Sequence, residues 1–464
     1  MKNSDLFAHE EDYASLPWDK ADEHLSRALQ FETTSYLDTS RIRYDQFDAL
    51  HAFLKESYPH VLAAGTWEEI GHSLLITLPG QNPDLRPALF MAHQDVVPLV
   101  KGTEHDWKHG PFSGDIADGY IWGRGAMDIK EMLIGILESA EYLLASGRQL
   151  NRTLILAFGE DEETCSSGAH AILDVLLARR LELEYVLDEG SGDVSDAADW
   201  GAPSSLICTI GVYEKGYADL QLTAHSKGGH SSNPFHGTSL GAISQAIAAM
   251  LAHPPAPHLP PSVLEALRVL GSRITEEPMA GWVRDVEHHE ADILGWFLSH
   301  ESLYHMVQTT LAPTQIDGGS SAGNVMPQEM HAVVNMRLTP YDTPESLLEH
   351  FRQFIDREID LCYIQKISAS RPSDLSMPGY TWLRQTLEHY FERLIFIPVQ
   401  NRGATDARVY EPVCRCVLRF GPFLEEEDVS REGIHGTNER ISIRAYHQGI
   451  RVMTRLMEHT CFNP

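Results

Sequence analysis

The stretch "GEDEETCSSGA", residues 159–169, sets Glu160, Asp161, Glu162 and Glu163 directly behind the apolar run "TLILAF". Carboxylates crowded at the mouth of a buried strand repel one another, so either the segment is a solvated loop or a strong positive charge sits beside it. The rest of the chain offers partners of the right type. "ALFMAHQD" ends in His93 and Asp95, "YVLDEG" ends in Asp188, and both read as buried strands. "WGRGAMDIK" places Asp128 at a glycine-rich turn before a helix, and "GIHGTNERI" places His435 between two glycines. Taken singly each has an ordinary explanation: a hydrogen-bonded pair, a solvated loop, a helix cap, a loop histidine. Together they form a zinc-type donor set, since imidazole nitrogen and carboxylate oxygen both suit that ion. Two zinc ions about 3.5–4 Å apart would compensate three carboxylates. Asp128, Glu163 and Asp188 supply those, His93 and His435 add neutral donors, and one carboxylate must bridge. Glu162 is then left free as a base, and Asp95 is placed to hold the His93 imidazole from behind.

The elements that must position these groups follow from the pattern. Helices are expected over "DKADEHLSRALQFETTSYL" and "DQFDALHAFLKESYPHVLA", then strands at "SLLITLPG", "RPALFMAHQD", "RTLILAFGE" and "LEYVLDEG" with helices between. That alternation predicts an α/β domain with a mostly parallel sheet, whose sites form at the carboxyl ends of the strands. Near residue 212 the pattern changes to a βαββαβ order, an α+β unit running to 372, interrupted near 252–307 by an insertion that carries "HPPAPHLPP". The α/β pattern resumes at 373. The expected division is 1–211 and 373–464 for the catalytic domain and 212–372 for an inserted lid domain, with the insertion read as part of that lid.

The chain of 464 residues carries 66 acidic against 36 basic side chains, a formal charge of −30, which argues against nucleic acid or an anionic membrane as partner. No apolar run approaches the ~18 residues of a membrane span. The acidic, polar N-terminus is unlike a signal peptide, and the six cysteines show no disulfide spacing. A cytoplasmic location is the expectation. Cys414 and Cys416 in "VCRCVLRF" share one face of a strand and read as core.

The motifs "AHQDVVP", "HGPFSG", "GYIWGRGAMDIK", "GEDEET", "DEG", "GGHSSNP", "GNVMP", "GATDAR" and "IHGTNERI" stand in the order found in the dizinc aminoacylase/carboxypeptidase metallopeptidases. The chain resembles that family from about residue 60 to 450, and most closely its carboxypeptidase S-like branch, which includes N-fatty-acyl amino acid hydrolases. The resemblance implies two zinc ions per chain. His93 and Asp188 would bind one, Glu163 and His435 the other, and Asp128 would bridge them, followed by a cis peptide bond. Glu162 would act as general base and then general acid. In the lid, His230 would steady the oxyanion, and Asn324 and Arg337 would meet a substrate carboxylate. Gly403 and Thr405 would face the substrate with backbone and hydroxyl. Glu131 stands where the family often has glycine, a change expected to be harmless on the helix.

The implied activity is hydrolysis of an amide bond next to a free carboxylate, in short peptides or N-acyl amino acids, with synthesis by reversal open to this branch. Two alternatives are a biosynthetic deacylase or desuccinylase and a non-catalytic binding protein on the same fold. Many relatives form homodimers through the lid, with His230 serving the neighbour's site. The long insertion would compete for that space.

Overall fold

The computed structural model describes residues 3–401, 403–426, 429 and 433–462; Arg402 of the "RGATDAR" motif lies outside them. A central sheet runs in the order Thr66–Ile70, Ser73–Leu78, Leu154–Gly159, Ala88–His93, Tyr185–Asp188, Val417–Arg419, Ala202–Glu214, Leu394–Asn401. Ala88–His93 is parallel to both of its neighbours, and Val417–Arg419 is parallel to Tyr185–Asp188. The first hairpin meets Leu154–Gly159 antiparallel, and Ala202–Glu214 runs antiparallel to Val417–Arg419 but parallel to Leu394–Asn401. Ala88–His93 and Leu154–Gly159 are buried at every position, as expected for strands covered on both faces.

The helix Lys130–Ala145 packs between this sheet and the helices Trp18–Leu29 and Ile443–Cys461, and for that reason it is buried almost all round. Cys414 and Cys416 are free thiols in the core. The two N-terminal helices stop earlier than the periodicity suggests, at Leu29 and Ser57.

Beyond Glu214 the chain enters a second sheet, Thr310–Gly318, Glu329–Leu338, Gly216–His225, Asp360–Ile367, antiparallel throughout. The helices Ser239–Ala252 and Pro344–Phe351 complete the βαββαβ order, and the unit has its own apolar core around Leu220, Val334 and Phe351.

The 252–307 stretch departs from expectation. It does not thicken the second unit. Its helix Pro261–Leu270 buries Val263, Leu267 and Leu270 against Trp200, Ile207, Ile397 and Val399, on the far edge of the central sheet. The periodicity of that helix marks an apolar face but cannot name the surface that covers it. No helix among the described residues is long and apolar enough to cross a membrane.

Candidate metal centre

Three adjacent strand ends converge on one point. His93 closes Ala88–His93, Glu162 and Glu163 follow Leu154–Gly159, and Glu189 follows Tyr185–Asp188. Because these strands are parallel neighbours, their carboxyl ends lie side by side. Two groups of potential ligands result, His93 with Asp128 and Glu189, and Asp128 with Glu163 and His435. Asp128 belongs to both. Its Oδ1 is 3.1 Å from His93 Nε2 and its Oδ2 is 3.0 Å from His435 Nε2, so one carboxylate spans the two groups. Glu163 Oε1 is 3.2 Å from the same His435 nitrogen, and the Asp128–Ile129 peptide is cis.

Asp188, expected as a ligand, is not among them. Its Oδ2 accepts a hydrogen bond from the Ala407 N–H at 2.9 Å, on the side of the sheet where the 406–410 turn packs. Successive residues of a strand point to opposite faces, and it is the next one, Glu189, whose Oε1 lies 3.4 Å from His93 Nε2. Glu189 is a candidate ligand that the sequence reading did not name. The "DEG" motif held the signal, because Gly190 has φ +105° and a Cβ there would meet Asn401 Oδ1 at 2.7 Å. The turn is tightly built to aim its glutamate.

Asp95 fixes several parts at once. It is fully buried, with Oδ1 3.3 Å and its backbone oxygen 3.0 Å from His93 Nδ1. The backbone N–H groups of Glu162 and Glu163 donate to its two carboxylate oxygens at 3.1 and 3.2 Å, and the Ser35 hydroxyl adds a bond at 2.6 Å. Glu439 does the same for Asp128: its Oε1 accepts from the Gly125 and Met127 N–H groups, while Arg124 pairs with Oε2. Glu439 follows His435 by four residues, so this carboxylate ties the His435 loop to the Asp128 turn.

Electrostatically the centre wants cations. Burial pushes Glu189 up to about 8 and Glu162 up to about 10. Hydrogen bonds to Asp128 and Glu163 raise His435 to about 10. Burial works against the charged form of His93, yet Asp128, Asp95 and Glu189 hold its pKa well above the histidine range. Buried carboxylates that can be relieved only by protons on both imidazoles are the pattern a metal pair would replace, and the nitrogen and oxygen donors suit zinc. The residues present fit that group.

The other expected site residues lie apart. His230 is exposed, and its Nδ1 accepts from the Ser232 N–H at 3.1 Å, which leaves Nε2 as the protonated nitrogen. The short strand Gly229–His230 pairs with Val325–Met326, and Ser231 N–H donates to the Asn324 carbonyl, so His230 and Asn324 are brought together. Arg337 stacks over Tyr217 at 4.7 Å from the ring centre and forms no salt bridge among the described residues. Among the described residues no hydrogen bond or ion pair links these three side chains to the metal cluster. Gly403 is exposed, and its carbonyl accepts from Asn401 Nδ2. Thr405, expected to face a substrate, is buried; its hydroxyl and its N–H both donate to Glu214 Oε1. That carboxylate is also held by Arg419 at 2.7 Å.

Beside Glu189 opens a cavity of about 850 Å³. It runs from Ile129 and Glu189 across Ile207 and Ile397 of the sheet to Leu303 and Met306 of the docked insertion. No lysine, arginine or histidine lines it among the described residues.

Residues 89–459 match the peptidase family M20/M25/M40. The chain is 31% identical over 465 residues to the probable carboxypeptidase S-like 2 of Dictyostelium discoideum, covering 97% of this chain and 87% of that protein. It is 30% identical over 458 residues to the human N-fatty-acyl-amino acid synthase/hydrolase PM20D1, covering 94% and 87%. Among solved structures it is similar to an M20 family metallo-carboxypeptidase from Sulfolobus solfataricus, with TM-score 0.62, 17% identity, and 95% of this chain and 99% of that one covered. The chain therefore belongs to peptidase family M20/M25/M40 and is a metal-dependent enzyme of the peptidase and amidohydrolase type.

Proposed function

We propose that this enzyme uses two zinc ions to hydrolyse N-acyl amino acids whose acyl chain lies in the cavity beside Glu189. One observation carries the choice of substrate: about half of the cavity's lining is apolar, no cation lines it among the described residues, and it opens at Glu189 of the metal-holding set. A succinyl group would bring a second carboxylate into a space that already holds Glu131, Glu189, Asp193, Asp196, Asp199 and Glu425, so the desuccinylase alternative is disfavoured. A bare dipeptide would leave most of the space unfilled. The human relative's name, an N-fatty-acyl-amino acid synthase/hydrolase, agrees with an acyl chain there.

His93, Glu189, Glu163 and His435 would hold the ions, with Asp128 between them. When bound, zinc polarises a carbonyl and brings water toward a pKa of about 7. Glu162 takes a proton from the attacking water and returns it to the amine nitrogen as the C–N bond breaks, so the products are a carboxylic acid and a free amino acid. Asp95 keeps Glu162 and His93 in register through the hydrogen bonds given above. His230 Nε2–H donates to the oxyanion, as a preorganised donor. Arg337 receives the amino acid's carboxylate, and the absence of a salt bridge to it among the described residues, in a chain of charge −30, supports that role. We also place the enzyme in the cytoplasm and leave a homodimer through the second sheet as the assembly to test.

The test is a hydrolysis series on the zinc-loaded enzyme, with N-acyl amino acids of rising chain length against N-succinyl amino acids and dipeptides. Each buried CH₂ is worth about 0.8 kcal/mol. Every two added carbons should therefore raise kcat/KM about tenfold until the cavity is full. Dipeptides cleaved faster than every acyl substrate would overturn the reading.

Arg337→Ala should lower kcat/KM on free-acid substrates about ten- to 150-fold, the cost of a lost charged hydrogen bond, and leave the matching C-terminal amides almost unchanged. Equal loss on acids and amides would assign Arg337 to holding the sheet, through Tyr217, and not to reading substrate.

A further inference from the structure

Ser35 lies on an N-terminal arm that precedes residues 89–459, the part of the chain matched to the family, yet its side chain reaches the centre of the site. The arm follows the helix Trp18–Leu29 and runs beside the segment that carries Asp95. Thr34 forms a parallel bridge with Val96, the Val96 N–H donates to the Thr33 carbonyl, and the Ser35 N–H donates to the Val96 carbonyl. Lys130, two residues beyond Asp128, holds the arm as well: its fully buried ammonium donates to the Ala28 and Phe31 carbonyls at 3.1 and 2.7 Å. The arm is thus fixed to both the His93 and the Asp128 turns, and this rigid mounting delivers the buried Ser35 hydroxyl to Asp95 Oδ2.

An ionised carboxylate offers about four acceptor positions on its two oxygens. At Asp95, Oδ1 meets His93 Nδ1 and the Glu162 N–H, and Oδ2 meets the Glu163 N–H and the Ser35 hydroxyl. Three of these donors thus come from a candidate ligand and from the backbone of the base and its neighbour, and the fourth comes from the arm. Without that hydroxyl, Oδ2 would keep one donor in a place closed to water, and the carboxylate would be freer to turn about its Cβ–Cγ bond. Such a turn would move His93, Glu162 and Glu163 together, because all three hang on the same two oxygens.

We infer that Ser35 is a positioning residue of the catalytic centre: by locking the Asp95 carboxylate, it sets the alignment of the His93 imidazole and of the Glu162 base. Ser35 does not itself meet the substrate, and its effect passes through Asp95. The inference rests on the two-metal reading above.

Thr33 supplies the control. Its buried hydroxyl makes an equally short bond, 2.6 Å to the Gln94 carbonyl, from the same arm to the same segment, and it meets neither a candidate ligand nor the base. Zinc-loaded wild type, Ser35→Ala and Thr33→Ala are compared in three ways: melting temperature, kcat and KM on an N-acyl amino acid, and the rate at which EDTA strips zinc with no substrate present. Both variants should melt lower by similar amounts. Ser35→Ala alone should lose about tenfold in kcat and release zinc about tenfold faster, the low end for groups that support a metal ligand from behind. Its KM should stay within about twofold of wild type, because no substrate contact is lost. Thr33→Ala should keep the wild-type kcat and zinc release. Equal losses in the two variants would assign Ser35 to stability and overturn the inference. So would a Ser35→Ala protein that keeps both rates, or one that fails to fold while Thr33→Ala folds. A wild type that binds no zinc would instead overturn the two-metal reading itself.

Discussion

Glu162→Gln is expected to keep its full metal content and lose about 10²–10⁴-fold in turnover, the usual range for a general acid–base group. The residue stands outside both groups of potential ligands, although Glu163 beside it belongs to one. Burial, with the carboxylates of Glu189, Asp406 and Asp95 nearby, makes its carboxyl easy to protonate, and His93 only partly offsets this. A carboxylate that neighbouring positive charge keeps ionised can collect a proton from water and pass it on. Glutamine preserves size and the backbone bond to Asp95 but removes that capacity. Metal analysis alongside single-turnover kinetics checks both halves. A variant that loses metal, while Glu163→Gln keeps it, would exchange the two assignments.

The second large effect separates two adjacent acids. Glu189→Ala should reduce bound zinc from about two ions per chain, the two-metal template, to about one, and activity should fall with it. Asp188→Asn should keep about two, because an amide oxygen still accepts the Ala407 N–H and no ligand is lost. Metal counting on the two purified variants decides between them. Loss in Asp188→Asn with retention in Glu189→Ala would restore the assignment made from sequence.

Why the sequence could not choose between Asp188 and Glu189 is physical. The apolar runs, their order and the donors at their ends were legible, since a buried strand and its terminal polar residue are local features. Which of two neighbours beyond a strand end points at the centre is not local. It depends on where the strand stops, and a shift of one residue changes the face. Thr405 shows a related limit: its hydroxyl could meet a substrate or a protein carboxylate, and in this structure it donates to Glu214, distant in sequence. The burial of Glu131 was unreadable because Lys130–Ala145 is buried almost all round and offers no polar stripe against which an odd residue would stand out. The docked insertion shows the same limit at larger scale, where amphipathicity gives a face but no address.

That docking also bears on motion. Two covalent passages, at 214–216 and 368–370, would by themselves make a hinge, with Ser370 N–H bonded to the Glu214 carbonyl and Glu214 N–H to the Ser370 hydroxyl. Because 259–303 is anchored on the central sheet, the chain crosses twice more, near 253–258 and 307–309. These passages are laced to each other by His258 N–H to the Val307 carbonyl and Gln308 Nε2 to the Pro255 carbonyl, and to the hinge by Lys215 Nζ on the Gln308 carbonyl. Four strands of connection gathered in one place leave the second unit a narrow arc about a stiff pivot. Glu214, at the base of that pivot, also grips Thr405 and Arg419. The residue at the root of the unit that carries His230 and Arg337 thus also holds the Thr405 loop and a strand of the central sheet.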